Sequence, residues 1–559
     1  MTIRDEILSR MTGPGEPFEI RTQSVNGTPL RVFAHAPASM REIISATSDS
    51  AERPYLMYHD EILTYGESLE KIASLAQWLV DHGVQKGDRV AIGMRNYPEW
   101  PLAYWAVVSI GAISVSLNAW WIADELEYAI ADSGSKVLIV DNERQDRISD
   151  ELLQKLNVSQ MVVARGTPRP GAVSFAEVTS HSSAVMPNVV IAPDDDCTIL
   201  YTSGTTGFPK GAVGTHRNHV TNIFNTLLVG AVSAEMATLA GVQSKPVTQP
   251  VSLWTFPFFH IAGVTGINVA AATRGALLSM YKWDASEALG LIQRHRVTTV
   301  AGVPTVVRSL LEHPDVNSYD LSSLATISQG GSPVPPDSIK KIEGEFERRV
   351  NPTNGYGLTE TTSAIISNSG LSYFAKSDSV GLPMVGADVR IVDEDGKDVP
   401  TGEVGELWVR SPNNVRGYWN KPEETAKAFI DGWFRSGDAA RIDEDGFVFV
   451  VDRIKDMVLR GGENVYCAEV EAVLFEHDAV EDVAVIGIPH PALGEEVAAV
   501  IVPKSGYGVS DTDSVREYAM KKLSAFKVPT HVFWQSDPLP RNATGKVLKK
   551  ELRDTYSSN

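Results

Sequence analysis

Strand-like and helix-like runs alternate over two long stretches, and no other feature of this chain constrains its fold as tightly. From Gly83 to about Ala164 the order is "RVAIGM", a helix-patterned run, "ISVSLN", "DELEYAIADSGS" and "KVLIVD". After Ala276 it resumes with "ALLSMY", a helix near Ala285–His295, "VTTVAGVP", a second helix, "LATISQGG" and a helix from Pro336. Parallel neighbours need a crossover connection, so this alternation predicts parallel sheets covered by helices, in two related layers. Asp124, with Glu127 three residues on, predicts the cap of one of these helices.

Around Val380 the texture changes. "ADVRIVDEDGKDVP" and "AARIDEDGFVFVVD" each place "DEDG" between β-rich runs, which predicts hairpins with Asp-Gly turns. Beyond them, Val470, Val473 and Leu474 form an apolar helical face followed by two strand-like runs. The expected architecture is α/β. Residues 1–452 form a large N-terminal domain of two helix-covered, mostly parallel sheets with a β subdomain at about 380–452, and residues 453–559 form a small α+β domain.

Composition narrows the partners. The formal charge of −20 argues against non-specific nucleic-acid binding, which needs a basic surface, so an anionic ligand must be held locally. The two cysteines, Cys197 and Cys467, exclude a disulfide framework and fit a reducing, cytoplasmic setting. Trp100–Ala123 carries no charge and is long enough to span a bilayer. Its Pro101, Gly111, serines and Asn118 divide it into helix, turn and strand, so no membrane span is expected.

"YTSGTTGFPKG", Tyr201–Gly211, concentrates hydroxyls, glycines and one lysine. Glycines let backbone N–H groups approach an anion, and Ser and Thr add donors. The stretch lacks the Walker A spacing, and alone it reads first as a solvated turn. Four further segments follow in order: "TFPFFHIAG", "TNGYGLTE", "GWFRSGD…DRIKDMVLRGGENVY" and "PRNATGKVLKKEL". Together the five resemble the adenylate-forming superfamily of acyl-CoA synthetases, nonribosomal-peptide adenylation domains and beetle luciferases, in its acyl-CoA synthetase (fatty-acid–CoA ligase) branch. The resemblance covers the chain from about Pro54 to Leu552.

The resemblance implies that ATP and Mg²⁺ activate a carboxylic acid as an acyl adenylate, releasing pyrophosphate, and that coenzyme A then takes the acyl group. By the same resemblance Thr202, Ser203, Gly204, Thr205, Thr206, Gly207 and Lys210 cradle the β- and γ-phosphates. Thr359 contacts the α-phosphate and Glu360 holds Mg²⁺. Tyr356 lies against adenine, within Asn354, Gly355 and Gly357 and beside Gly330, Gly331 and Ser332. Asp438 and Arg453 take the ribose. Lys546 bridges the carboxylate and the α-phosphate, offsetting charge that builds in the transition state. Lys455 marks a hinge about which the small domain moves, and Gly461, Gly462, Glu463 and Asn464 line the thiol tunnel. Arg460, beside those glycines, is read as help with a CoA phosphate. His260 gates the acyl pocket, with Val264, Val303 and Pro304 as walls.

Each residue has a bland reading when viewed alone. Thr359–Glu360 is a cap and a surface acid, Asp438 a turn, Arg453 a surface pair, His260 a satisfied core histidine, and Lys546 one of several lysines on a solvated face. Rival functions are a carrier-loading adenylation domain, an acyl-AMP ligase, a luciferase-like oxygenase and a non-enzymatic nucleotide-binding regulator. Lys546, Glu360, Asp438 and Arg453 together argue against the regulator. The aromatic run Trp254, Phe256, Phe258 and Phe259 favours an apolar acid, with a fatty acid first, and a homodimer is left open.

Overall fold

The computed structural model describes residues 2–181, 184–202, 209–242, 247–346, 348–542 and 545–557. The first alternating stretch builds a seven-stranded sheet. Arg89–Gly93, Ile113–Ser116, Val137–Asp141, Gln160–Ala164 and Asp196–Thr202 run parallel in it, and Lys210–Thr215 closes one edge antiparallel. The second stretch builds a nine-stranded sheet whose parallel core runs through Val251–Trp254, Ala276–Ser279, Thr299–Gly302, Thr326–Gly330 and Asn351–Leu358. The predicted pair of helix-covered layers is therefore present.

Helices fill the space between the sheets. Trp100, Tyr104 and Trp105 on Glu99–Ser109 pack in one cluster with Ile72 and Leu75 on Tyr65–Asp81 and with Val264 and Ile267 on Ile261–Thr273. The buried Trp105 indole donates to the Tyr55 hydroxyl at 2.7 Å, which satisfies its polar edge. The uncharged run after Trp100 is thus helix, a left-handed Gly111 and the strand Ile113–Ser116. One helix, His216–Leu239, is long and apolar enough to cross a bilayer, but here it lies against Ile261–Thr273 and Ser363–Ser369.

Two local expectations shift. The helix Ala123–Ser133 is capped at Ile122 rather than Asp124, because Glu125 reaches back to the Ile122 N–H at 3.0 Å. Asp124 instead sits in the first turn, where its charge meets the positive helix end. The second "DEDG" forms the expected hairpin, joining Trp433–Ile442 to Val448–Arg453. The first turns the chain at Gly396, but there Asp388–Val392 finds its partner in Gly405–Arg410, leaving only a single bridge from Val392 to Asp398. Pro400, which has no N–H to donate, stands just beyond that bridge.

The strand ending at Arg453 belongs to this antiparallel sheet, and the strand starting at Val458 to the next. That last sheet centres on the hairpin Val480–His490/Gly494–Pro503, and the helix Cys467–Phe475 buries Val470 and Leu474 against it.

His216 and His219 are fully buried beneath the large domain. The His216 Nδ1 accepts from the Met40 N–H at 3.1 Å, and the His219 Nε2 lies 2.9 Å from the Thr198 hydroxyl. Burial pushes them down to about 4 and about 3 respectively. Unfolded, both take up protons below about 6.5. The stability they contribute is present above that value and is lost as pH falls through the window toward about 4. The melting temperature is expected to fall steadily over this range, less steeply for His219→Gln; an unchanged melting temperature would contradict the account.

Candidate functional site

Four segments of the site leave the carboxyl ends of parallel strands, where open α/β sheets bind ligands. Asp196–Thr202 delivers the hydroxyl-rich turn, Val251–Trp254 the run to His260, Thr326–Gly330 the paired glycines, and Asn351–Leu358 the Thr359–Glu360 turn. Thr202 and Lys210 are cross-strand partners where Asp196–Thr202 pairs with Lys210–Thr215. Ser203, Gly204, Thr205, Thr206 and Gly207 lie outside the described residues.

The Lys210 ammonium sits over the Tyr418 ring, 5.2 Å from its centroid. The Tyr418 hydroxyl donates to Glu360 Oε1 at 2.8 Å. One tyrosine therefore ties the lysine to the acid and orients the carboxylate. The sequence reading missed Tyr418, which lies in "RGYWN" far along the chain. It arrives because Ala212 and Tyr418 form a β-bridge beside Lys210, and the aromatic pair in a loop was its one visible signal.

Thr359 opens the short helical turn Thr359–Thr361, which ends in two left-handed residues, Thr362 (φ 47°) and Ser363 (φ 73°). Such backbone costs energy in non-glycine residues and is held by its surroundings. Here Thr361 Oγ1 bonds the carbonyls of Leu358 and Ser363 at 3.1 and 2.9 Å. Gly357 is obligatory, since a Cβ there would lie 1.9 Å from the Ser363 carbonyl oxygen. Gly330 pairs in register with Gly355, one residue before Tyr356, and Gly331 (φ 76°) carries the chain on to Ser332. Asn354 is buried and its carbonyl accepts from Ser367 at 3.1 Å.

Asp438 and Arg453 are direct cross-strand partners, which brings their side chains to 2.6 Å. The Tyr356 hydroxyl donates to the other Asp438 oxygen. The carboxylate is buried, and burial together with its charge drives the Tyr356 phenol far up. Tyr356, Asp438 and Arg453 thus form one rigid unit.

His260 caps the helix Ile261–Thr273, its Nδ1 accepting from the Ala262 N–H at 3.3 Å. Desolvation, with help from the positive charge of Lys546, pushes its imidazole down to about 4, so it is neutral near pH 7. Lys546 keeps solvent access, yet the surrounding protein mass and then Arg453 lower its ammonium, against Asp438 and Glu360, which raise it. Lys455 is lowered by burial and by Arg453. Lys546, Arg453, Asp438, Glu360, Lys455 and His260 therefore share one electrostatic neighbourhood. Lys549 does not belong to it, being committed to Glu471 at 2.7 Å inside the small domain.

The two domains touch near this point. Gly545 faces the Val303 side chain. Arg308 donates to the Glu481 carbonyl at 2.9 Å and lies over the Phe475 ring at 4.6 Å, while Glu312 fixes its Nε at 2.9 Å. The predicted tunnel residues are elsewhere. Gly461 (φ 61°) and Gly462 (φ 89°) make a two-residue hairpin turn between Val458–Arg460 and Glu463–Val465, which needs left-handed backbone at both. Glu463 and Asn464 are exposed there. The hairpin bonds to Leu493, Glu495 and Glu496, all of the small domain. Arg460 pairs with Glu496 at 2.5 Å, so its guanidinium is already engaged rather than free for a phosphate.

Residues 45–419 match the family model for AMP-binding enzyme, and residues 469–546 match that for the AMP-binding enzyme C-terminal domain. A feruloyl-CoA synthase of an Amycolatopsis species is 36% identical over 495 residues, covering 88% of this chain and 94% of that protein. A long-chain-fatty-acid–CoA ligase of Bacillus subtilis (strain 168) is 32% identical, covering 94% of this chain and 96% of that protein. Among solved structures, the anthranilate CoA ligase AuaEII in complex with anthranoyl-AMP is similar at TM-score 0.81 and 26% identity, covering 92% of this chain and 97% of that one. ATP-bound MatB from Rhodopseudomonas palustris is similar at TM-score 0.79 and 29% identity, covering 92% and 99%.

Removing Arg453 would leave the Asp438 carboxylate buried with Tyr356 alone. Arg453→Met is expected to cost about 2 kcal/mol in chemical denaturation, below the range for fully buried pairs because the arginine is partly exposed. Asp438→Asn in the same background should restore most of it.

Proposed function

Because the chain belongs to the AMP-binding enzyme family and is an AMP-forming acid–CoA ligase, we propose that it adenylates an apolar carboxylic acid and passes the acyl group to coenzyme A. The observation that carries this reading is that Gly545, beside Lys546 of the small domain, packs against Val303 of the large one, where the Lys546 ammonium feels the charges of Arg453, Asp438 and Glu360. A cleft with this charge pattern suits a polyanion brought up against a second anion. It has less use in a regulator that only binds nucleotide.

A carboxylate is a poor electrophile, being anionic and obliged to expel oxide. In the first half-reaction its oxygen attacks the α-phosphorus of ATP, the bond to the bridging oxygen breaks, and pyrophosphate leaves. Catalysis here is largely positioning and charge stabilisation. Lys546 neutralises charge between the carboxylate and the α-phosphate. Lys210 and the described ends of the hydroxyl-rich turn face the outer phosphates, and Thr359 the α-phosphate. Asp438, fixed by Arg453 and Tyr356, accepts from the ribose hydroxyls. Glu360 suits Mg²⁺: Tyr418 holds one of its oxygens, and a hard dication in an ATP site takes few protein ligands beside the phosphates. When bound, the ion offsets phosphate charge. His260, neutral and poised at a helix start, separates the acid from the phosphates without adding charge.

In the second half-reaction the thiol sulfur attacks the acyl carbon, the thiol proton passes to water, and AMP leaves. The contacts described for the Gly461–Asn464 hairpin lie within the small domain, so its part in guiding the thiol is proposed to follow a turn of that domain about Lys455. Arg308 and its Glu481 and Phe475 contacts must break for that turn. The apolar acid is supported by Trp254 and Phe256 beside Val303 and Gly331 and by the relatives' names, a feruloyl-CoA synthase and a long-chain-fatty-acid–CoA ligase. Cytoplasmic location and a homodimer remain part of the proposal only as the setting it would fit.

The test is acid-dependent ATP–pyrophosphate exchange, followed by AMP release with and without CoA. Lys546→Ala is expected to lose exchange by roughly a hundredfold or more, while still converting supplied acyl adenylate to thioester. Equal loss of both halves would contradict the role given to Lys546. Exchange without CoA-dependent turnover would favour an acyl-AMP or carrier-loading enzyme instead.

A further inference from the structure

We infer that Trp254 is the end stop of the acyl slot and restricts the enzyme to compact apolar acids, such as a phenylpropenoate or a short to medium straight chain. The inference rests on the ligase reading above and deepens it.

A continuous apolar wall runs from the lysine to this indole. Gly545, next to Lys546, faces the Val303 side chain, with an ideal Cβ 3.4 Å from it. Val303 also borders Gly331, whose Cβ would lie 3.7 Å from it and 3.5 Å from the Phe256 ring. Phe256 and Trp254 are tilted neighbours with centroids 6.0 Å apart. The Trp254 indole then covers the helix Ile261–Thr273: its Nε1 donates to the Ala262 carbonyl at 3.0 Å, and a Cβ on Gly266 would fall 2.4 Å from the ring. Ala262 and Gly266 are one helical turn apart, so the ring lies flat along that face. His260, which faces Lys546, starts the same helix.

The consequence is steric. A glycine at 266 leaves a groove on the helix, and the indole fills it. The indole is also pinned by its hydrogen bond, so moving it costs that bond as well as its packing. Next to Gly266, Thr265 donates to Asn222 Oδ1 at 3.4 Å and Asn222 donates to the Ala364 carbonyl at 3.2 Å, which ties the two helices to the strand Ser363–Ser369. An acid held at Lys546 thus meets aromatic faces along its length and a fixed ring at its end. Flat or short bodies fit; a long chain has nowhere to continue.

The experiment measures kcat/KM for cinnamate, propanoate and hexadecanoate in pyrophosphate exchange, using the full chain. Wild type is expected to favour cinnamate over hexadecanoate by roughly tenfold or more, the scale on which pocket sterics discriminate. Trp254→Ala and Trp254→Leu should both shift that ratio toward hexadecanoate by a similar factor. Gly266→Ala should act in the opposite sense, driving the ring into the slot and raising KM for cinnamate but not for propanoate. Wild-type turnover of hexadecanoate on a par with cinnamate overturns the inference. So does an unchanged ratio in Trp254 variants whose melting temperature shows them folded. Absence of exchange with every acid overturns the ligase reading as well, whereas exchange with an unchanged ratio overturns the end stop alone.

Discussion

The Asp438 carboxylate is the interaction on which the working geometry depends. It joins Tyr356, at the carboxyl end of a strand in the nine-stranded sheet, to Arg453, the last residue of the antiparallel sheet. Arg453 is also where the chain leaves the large domain, and the Ile454 N–H returns to the Gly437 carbonyl at 3.0 Å. The carboxylate therefore holds the nucleotide side of the cleft and the root of the small domain in one frame. A residue that merely accepted ribose hydroxyls could sit on any loop. This one also fixes where the chain leaves the large domain, the root of the turn proposed for Lys546.

Closure is secured separately. Val303 ends the strand Thr299–Gly302 and begins the helix Pro304–Leu311, and that short piece meets the small domain twice, through Gly545 and through Arg308. One of these contacts is apolar and the other polar. An interface of this kind can hold one arrangement without trapping it. Arg308 is held in reach by Glu312, which in turn pairs with Lys341 at 2.6 Å, so the side chain that meets the small domain is oriented by the large one.

Features set by local chemistry were legible in the sequence. The alternation of runs gave the two sheets because crossover geometry leaves few alternatives, and the second "DEDG" gave its hairpin because Gly446 supplies the left-handed turn. The Asp438–Arg453 pair could be named by resemblance. Its physical cause, cross-strand register around that hairpin, appears only once the strands are paired. Tyr418 was hidden for a stronger reason: a bridge between Ala212 and Tyr418, distant in sequence, puts it under Lys210. The cap at Ile122 went unseen because an apolar residue gives no capping signal, although Glu125 supplies the bond. The distinction between Lys546 and Lys549 also needed tertiary structure, since only burial beside Glu471 shows that Lys549 is structural.

The charge pattern shows how a chain of net charge −20 can hold a polyanion. Arg453, Lys455 and Lys546 crowd together, and desolvation plus mutual repulsion lower both lysines. Asp438 and Glu360 limit that repulsion, and Tyr418 and Arg453 restrain the acids from rotating away. The cleft is thus assembled under electrostatic tension in the absence of substrate. On the proposed reaction, a bound triphosphate would relieve it by favouring the protonated form of each lysine, so that binding energy and ammonium charge reinforce one another. Departure of pyrophosphate would remove much of that negative charge and restore the repulsion among the cations, of which Lys546 belongs to the small domain.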